Sequence, residues 1–211
     1  MSKEDPDEIK VVLLGNSGVG KTNLILIYEG REFEPNSMSN FSSSLSIKKI
    51  EIKNKTYEIA LWDTAGQERF KTITKSLLNG ANVVIYVYSI VDEQSFKDLN
   101  YWIDTVKEKI NGNYISAIVG NKKDLYMEEK TINEEMGKEY AKTKNYKFKL
   151  CSAKTEPTEF IEFINELIYD YIDNFKDINK RGRKSSIKIT KDSSNNKNKS
   201  KKSEKNKCDC I

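Results

Sequence analysis

The stretch Gly15-Asn16-Ser17-Gly18-Val19-Gly20-Lys21-Thr22 decides the fold expected for this chain. It follows the β-branched apolar run Ile9–Leu14 and opens a predicted helix over Lys21–Tyr28. In such a turn, small residues let successive backbone N–H groups point at a phosphate, and the helix N-terminus adds a favourable dipole. Lys21 is placed to neutralise the β- and γ-phosphates of a nucleotide, and Thr22 to offer its hydroxyl to Mg²⁺. Because all four constrained positions match in this context, we predict a phosphate-binding loop and not a ligand-free glycine-rich turn.

Short β-branched runs alternate with amphipathic stretches along the chain, which predicts an α/β fold with helices on both faces of a mostly parallel sheet. The predicted strands are Ile9–Leu14, Ser46–Ile52, Tyr57–Trp62, Asn82–Tyr88, Tyr114–Gly120 and Phe148–Cys151. The predicted helices are Lys21–Tyr28, Phe70–Leu78, Glu93–Ile110, Ile132–Lys142 and Thr158–Phe175. The turn-like stretch Lys53-Asn54-Lys55-Thr56 pairs the second and third strands as an antiparallel hairpin, so one edge strand is antiparallel. Ligands of such sheets bind beyond the carboxyl ends of the strands.

Charge is divided unevenly along the 211 residues. The chain has 36 basic and 32 acidic side chains, but residues 181–211 alone hold 11 basic and 3 acidic ones, which leaves a net charge of −4 on residues 1–180. The acidic part is therefore the candidate domain. The sequence contains no histidine, which excludes histidine-dependent proteases, histidine-ligated metal sites and imidazole pH switches.

No segment predicts a membrane span or a cleaved leader. The longest nearly apolar run, Ala81–Tyr88, is far shorter than the ~18 residues that a spanning helix requires. The opening Met1–Glu8 is charged, and Ser2 excludes N-myristoylation. Three cysteines cannot form a disulfide framework and indicate a reducing compartment, with Cys151 expected in the core.

A tetrapeptide after the fifth predicted strand indicates the base of the nucleotide. In Asn121-Lys122-Lys123-Asp124 the carboxylate can accept from N1–H and the exocyclic amine of guanine together, whereas adenine offers no such donor pair. A buried carboxylate left unpaired costs ~1–3 kcal/mol or more, which rejects the wrong base. Alone, the tetrapeptide would be better interpreted as a solvated loop in this Lys- and Asn-rich chain. Its distance of about 100 residues from the phosphate loop, with Ser152-Ala153-Lys154 closing the sixth strand, predicts guanine.

The third predicted strand ends in a further candidate motif, Asp63-Thr64-Ala65-Gly66-Gln67-Glu68. Asp63 can hold Mg²⁺ through its water shell, Gly66 can offer a backbone N–H to a γ-phosphate, and Gln67 can orient an attacking water. A simple Asp-Thr turn cap would explain Asp63 alone.

These motifs together resemble the small GTPases of the Ras superfamily. The stretch Trp62-Asp63-Thr64-Ala65-Gly66-Gln67-Glu68-Arg69-Phe70 and the following Thr72-Ile73-Thr74 resemble its Rab branch. The resemblance covers about Lys10–Phe175 and implies the P-loop GTPase fold, two switch loops and Mg²⁺-dependent hydrolysis of GTP to GDP, for which Ras-type enzymes are the template. It also implies a GTPase-activating protein and an exchange factor as partners. Phe33 would be the aromatic residue that packs against the guanine.

One position departs from that pattern. Counting back from Trp62, Asn40 stands where the family carries its switch I threonine, which gives Mg²⁺ a hydroxyl and the γ-phosphate a backbone N–H. Asn40 keeps the N–H, but its longer carboxamide would need a shifted backbone to reach the metal. Either a neighbouring serine, Ser39 or Ser42, supplies the hydroxyl, or switch I does not close normally. The second hypothesis is the one we favour.

Residues 179–211 are rich in Lys, Asn and Ser and predict a disordered basic tail. The final Cys208-Asp209-Cys210-Ile211 matches the prenylation motif at Cys208, although Asp209 is a poor match for an aliphatic position. Read as a Rab-type end, it makes Cys210 a second lipid site. Two lipids, or one lipid plus basic charge, hold a protein on a membrane. A merely solubilising tail would not explain two terminal cysteines, and no aromatic residues interleave the lysines as in nucleic-acid binding segments.

The predicted organisation is an acidic N-terminal extension at 1–8, a small GTPase domain at 9–178 and the tail at 179–211. The predicted function is that of a monomeric Rab-like GTPase switch in vesicle trafficking, tethered by prenyl groups and basic charge. It would cycle between the cytosol, with a prenylated-protein carrier, and the cytoplasmic face of an endomembrane, where it meets effectors. The alternative is a nucleotide-locked membrane adaptor with little hydrolysis. A P-loop kinase or ATPase would require that Asp124 not read the base.

Overall fold

A six-stranded sheet forms the centre of the computed structural model, which describes residues 6–35, 45–64, 75–126 and 132–176. The strands are β1 Asp7–Leu14, β2 Leu45–Ile52, β3 Lys55–Asp63, β4 Val83–Ser89, β5 Ile115–Asn121 and β6 Lys147–Leu150. They lie in the order β2-β3-β1-β4-β5-β6; β2 runs antiparallel to β3, and the other neighbouring pairs are parallel. The predicted fold class, a mostly parallel sheet with one antiparallel edge strand, is confirmed.

A two-residue turn joins the antiparallel pair. Lys53 and Asn54 both have positive φ, 52° and 60°, and Ile52 pairs directly with Lys55 across the turn. This is the backbone geometry of a type I′ turn, whose twist matches that of the flanking strands. The hairpin predicted at residues 53–56 is therefore present.

Six helices cover the sheet in the described residues. They are α1 Lys21–Glu29, α2 Lys75–Leu78, α3 Glu93–Lys97, α4 Leu99–Lys109, α5 Glu134–Lys144 and α6 Pro157–Tyr171, which continues into a π-helical turn at Ile172–Lys176. Of the helix predicted at 70–78, residues 70–74 lie outside the described part. Among the residues described, no helix is both long enough and apolar enough to cross a bilayer.

The helix predicted as one element over 93–110 is divided into α3 and α4. The dividing residue is Asp98, with ψ −7°, far from the value of about −42° in a regular α-helix. Its carboxylate accepts hydrogen bonds from Asn16 and Gln94. Asn16 and Asp98 are 82 positions apart in the chain. The helical periodicity of residues 93–110 therefore could not predict their contact or the division of the helix at Asp98.

The central strands β1, β4 and β5 are buried on both faces, as their nearly continuous apolar runs require, whereas the edge strand β2 alternates exposed residues with buried or half-buried ones. Alternate residues of β1 point to opposite sides: Val11 joins the core that packs against α1 and α6, and Val12 joins the core that packs against α4 and α5. Helices therefore lie on both faces, as predicted. The carboxyl ends of the parallel strands are left to carry the loops.

Candidate functional site

The predicted site segments meet at one edge of the sheet. Residues 15–20 follow β1, Asp63 ends β3, residues 122–125 follow β5, and residues 152–154 follow β6. These four strands are parallel, so their carboxyl ends lie at the same edge. The arrangement is the one in which open α/β sheets bind their ligands.

Two glycines allow the loop after β1 to lie close to its neighbours. A Cβ at Gly15 would come within 2.1 Å of the Val87 carbonyl oxygen, and a Cβ at Gly20 within 2.3 Å of Asn121 Nδ2. Gly20 also has φ 98°, a backbone conformation that side chains disfavour. Gly20 is the N-cap residue of α1. It has no side chain that could accept a hydrogen bond from the first backbone N–H groups of the helix.

The loop folds around the side chain of Lys21. The Lys21 Nζ donates to the carbonyl oxygens of Gly15 at 3.0 Å and Asn16 at 2.9 Å, and the residue is only 4% exposed. A buried cation thus lies within the loop, next to the N-terminus of α1. Both features attract anions. Gly18 and Ser17, at the tip of the loop, are exposed.

A hydroxyl and a carboxylate meet beside the loop. Thr22 Oγ1 donates to Asp63 Oδ2 at 2.7 Å, and Asp63 is 1% exposed. The next residue, Thr64, anchors the end of β3 by donating to the Leu13 carbonyl at 2.9 Å. Hydroxyl and carboxylate oxygens are the ligands that Mg²⁺ prefers. Among the residues that the structure describes, no group of three or more Cys, Asp or Glu side chains is placed to hold a metal ion.

Asn121 connects the phosphate loop to the loop after β6. Its Nδ2 donates to the Val19 carbonyl at 2.9 Å, and its Oδ1 accepts from the Ala153 backbone N–H at 3.2 Å. The side chain is almost fully buried. Both ends of the carboxamide are used, so Asn121 holds together two loops that lie far apart in the sequence.

Ser152 holds the carboxylate of Asp124. Its Oγ donates to Asp124 Oδ1 at 2.6 Å and accepts from the backbone N–H groups of Lys154 and Thr155, each at 3.1 Å. The Lys154 side chain is exposed. Lys122, with φ 70°, takes the left-handed turn that directs the following residues back towards the loop after β6.

The side chains of Asn23 and Asn16 hold segments of the site in place through contacts that the sequence did not predict. Asn23 pairs with the backbone of Glu34, donating to its carbonyl at 3.1 Å and accepting from its N–H at 2.9 Å. This pair fixes the segment that carries Phe33, which packs partly buried against the core. Asn16 was predicted only as part of the loop, but its side chain bonds to Asp98 and Trp102. The sequence did offer one indication of the role of Asn23. A polar amide next to the apolar run of α1 is expected to be buried and therefore to need hydrogen-bond partners.

Five predicted site residues lie outside the described part of the chain. They are Asn40, Gly66, Gln67, Cys208 and Cys210. Their predicted roles rest on the sequence.

The chain matches the Ras family over residues 10–172. It is 35% identical over 190 residues to Ras-related protein SEC4 from Saccharomyces cerevisiae, covering 89% of this chain and 87% of that protein. It is 36% identical over 185 residues to Ras-related protein Rab-11B from Dictyostelium discoideum, covering 84% and 83%. It is 37% identical over 155 residues to Ras-related protein Rab-13 from Mesocricetus auratus, covering 74% and 76%. The chain therefore belongs to the Ras family and is a Rab-like small GTPase of vesicle trafficking.

Proposed function

We propose that GTP and GDP bind along the carboxyl edge of the sheet, with their phosphates on residues 15–22 and their base between residues 121–124 and 152–154. The observation that carries this proposal is the Asn121 carboxamide, which bonds to the phosphate loop through Val19 and to the loop after β6 through Ala153. A single buried side chain thereby sets the distance between a phosphate subsite and a base subsite.

The phosphates would be bound by the loop amides, the N-terminus of α1 and Lys21. The Lys21 ammonium bonds to two loop carbonyls. These weaker acceptors can give way to phosphate oxygens, with which an ammonium forms charge-assisted hydrogen bonds. The loop and the lysine are thus arranged before the ligand arrives, which reduces the ordering that binding has to impose.

The magnesium ion of the family would be held by Thr22 and Asp63, with the carboxylate acting through the ion's water shell. Their 2.7 Å hydrogen bond brings a hydroxyl and a buried carboxylate together beside the loop, which suits a hard cation. When bound, the ion neutralises charge on the β- and γ-phosphates. Asn40 would be a third ligand only with a shifted switch I backbone, because its carboxamide is longer than the threonine side chain of the family.

Guanine would be recognised by Asp124. Its carboxylate would accept from N1–H and the exocyclic amine, while Ser152 holds the carboxylate in one orientation by its 2.6 Å bond to Oδ1. A second cross-link keeps the base loops together, because the Lys123 ammonium bonds to Glu156 at 2.6 Å. An adenine would leave the carboxylate without its donors, which is costly. Lys122 and Ala153 would line the base, and Phe33 would pack against it.

Hydrolysis would use Gln67 to orient the attacking water and the Gly66 N–H to contact the γ-phosphate. The relatives favour this switching enzyme over the alternative of a nucleotide-locked adaptor. Attachment to the cytoplasmic face of an endomembrane would come from prenyl groups on Cys208 and Cys210 with the basic tail. A prenylated-protein carrier, an exchange factor, a GTPase-activating protein and effectors are the proposed partners.

The test is single-turnover phosphate release from the full chain loaded with GTP and Mg²⁺. The variants are Gln67→Leu, Asn40→Thr and Lys21→Ala. We expect release from the wild type, a loss of at least about tenfold in Gln67→Leu, and failure of Lys21→Ala to retain nucleotide. Competition by ATP as strong as by GTP would reject Asp124 as the base reader.

Negligible wild-type release that Asn40→Thr restores would instead establish the nucleotide-locked adaptor. Release that is unchanged by Asn40→Thr would favour compensation by a serine. Full nucleotide retention in Lys21→Ala would remove the phosphate-loop assignment.

A further inference from the structure

The side chain of Asn16 joins the phosphate loop to helix α4. Its Nδ2 donates to Asp98 Oδ2 at 2.8 Å, and its Oδ1 accepts from the indole Nε1–H of Trp102 at 3.0 Å. Asp98 and Trp102 are one helical turn apart and are themselves linked by the backbone bond from Trp102 N–H to the Asp98 carbonyl. One turn of helix therefore engages both ends of the Asn16 carboxamide.

The chemistry of the partners fixes the orientation of that amide. An ionised carboxylate only accepts hydrogen bonds and an indole only donates them. The other oxygen of Asp98 accepts from Gln94 Nε2 at 2.7 Å, which holds the carboxylate in place. Trp102 is 1% exposed, so losing the Asn16 oxygen would leave a buried donor unpaired, which is destabilising.

The backbone of the same residue positions the lysine of the loop. The Asn16 carbonyl oxygen accepts from Lys21 Nζ at 2.9 Å. The other half of the loop is held by Asn121 at the Val19 carbonyl. The loop is thus fixed near both of its ends. The Asn121 carboxamide, at the end of β5, holds one end, and the Asn16 carboxamide joins the other end to Asp98 and Trp102.

We propose that Asn16 is a positioning residue for nucleotide retention, and that Asp98, at the N-cap of α4, and Trp102, within α4, set the release rate through it. This inference rests on the proposed function, because it requires the loop to hold the phosphates. It extends the nucleotide site to a helix that carries none of the predicted site residues. A change at Asp98, away from the base and metal subsites, alters how long the nucleotide stays bound.

The test measures dissociation of a fluorescent GDP analogue from the full chain with Mg²⁺, together with the melting temperature of each variant. The variants are Asn16→Asp, Asp98→Asn and the double variant that exchanges the two residues. The double variant keeps the total charge and rebuilds the pair with donor and acceptor reversed. Asp104→Asn, an exposed carboxylate on the same helix, is the matched control.

We expect Asn16→Asp to release the analogue at least about fivefold faster, because two carboxylates then face each other. The exchanged pair should return to within about twofold of the wild type, and Asp104→Asn should not differ from it. Trp102→Phe removes the indole donor but keeps an aromatic ring. It should also speed release, and it provides a second route if Asn16→Asp does not fold.

Rescue by the exchange separates the inference from direct repulsion between a carboxylate at position 16 and the phosphates, since that carboxylate remains in the double variant. A double variant that releases as fast as Asn16→Asp overturns the inference. So does wild-type release in both Asn16→Asp and Trp102→Phe. A wild type that retains no guanine nucleotide overturns the proposed function as well, whereas tight wild-type retention without rescue overturns this inference alone.

Discussion

Polar side chains of the site are held by one another and by backbone groups of distant loops. Asn121 and Ser152 each bond to more than one loop segment, and Asn23 forms a two-bond pair with the Glu34 backbone. Such contacts keep the groups that would touch a ligand in one geometry before it binds. Removing a hydroxyl that supports such a group should therefore alter nucleotide specificity, even though the hydroxyl itself does not contact the ligand.

Ser152→Ala removes the donor that holds Asp124 Oδ1 at 2.6 Å. The carboxylate then gains rotational freedom, and we expect selectivity for GTP over ATP to fall about tenfold. Competition of each nucleotide against a fluorescent GDP analogue measures this ratio. Thr143→Ala, which removes an exposed hydroxyl on α5, is the control. Equal selectivity in Ser152→Ala and the control would contradict the supporting role of Ser152.

Cys151 is a buried thiol whose burial raises its pKa to about 12. The thiolate is the reactive form, so at pH 8 the folded protein should leave Cys151 unlabelled by iodoacetamide, and urea should expose it to rapid labelling. The same shift makes folding less favourable as pH rises above 9.0, because the unfolded thiol ionises there while the folded one stays neutral. Peptide mapping by mass spectrometry measures the labelling. Native labelling at Cys151 as fast as in urea would contradict this prediction.

Among the secondary-structure elements, α5 depends on a glycine to approach the sheet. A Cβ at Gly137 would lie 2.6 Å from two ring carbons of Phe148 and from the Tyr88 hydroxyl oxygen. Phe148 is on β6 and Tyr88 on β4. The helix can therefore pack at this distance only because residue 137 lacks a side chain.

Gly137→Ala has two opposing effects on stability: alanine has the higher helix propensity, but its methyl group overpacks the contact with Phe148 and Tyr88. Alanine favours the helix by about 1 kcal/mol over glycine, whereas overpacking a core typically costs about 1–3 kcal/mol, and the stiff ring of Phe148 raises that cost. We expect a net loss of roughly 1–2 kcal/mol in the free energy of unfolding, measured by urea denaturation of the GDP-bound chain. The exposed Lys142→Ala on the same helix should be neutral or slightly stabilising. Stabilisation by Gly137→Ala would show that α5 can shift away from β6.

At the scale of the whole molecule, the turn after α6 lies on the side opposite the carboxyl edge of the sheet. Lys176 Nζ donates to the Glu8 carbonyl at 2.9 Å, at the start of β1, and Lys53 in the β2–β3 turn pairs with Asp173. The described chain therefore ends beside the amino end of β1. Residue 176 therefore lies away from the carboxyl edge of the sheet, where we propose that the nucleotide binds.

Replacing Cys208 and Cys210 together by serine should abolish membrane attachment that withstands a salt wash, because the attraction of lysines to an anionic leaflet, about 1 kcal/mol each, weakens with salt, whereas burial of a lipid chain does not depend on charge. Fractionation of cells that express the full chain measures attachment, and Ser203→Ala in the same tail is the control. Nucleotide dissociation from the purified variant should equal that of the wild type. Persistent recovery of the double variant with salt-washed membranes would reject prenylation as the anchor.

The sequence by itself determined the type of fold and the segments of the candidate site. The loop 15–22, the hairpin turn predicted at 53–56 and the motif 121–124 are local patterns, in which the required backbone conformation or ligand chemistry restricts the residues at fixed spacing. Alternation of apolar runs is also local, and it was sufficient to predict six strands and the antiparallel edge.

Only the tertiary structure decided which of these segments support one another. Asn121 reaches Val19 across 102 positions, and Asn16 reaches Asp98 across 82. The division of residues 93–110 at Asp98 and the need for glycine at 137 depend on the same long-range packing. No spacing rule encodes such contacts, because they arise only when strands far apart in the sequence become neighbours in the sheet and bring their loops to a common edge.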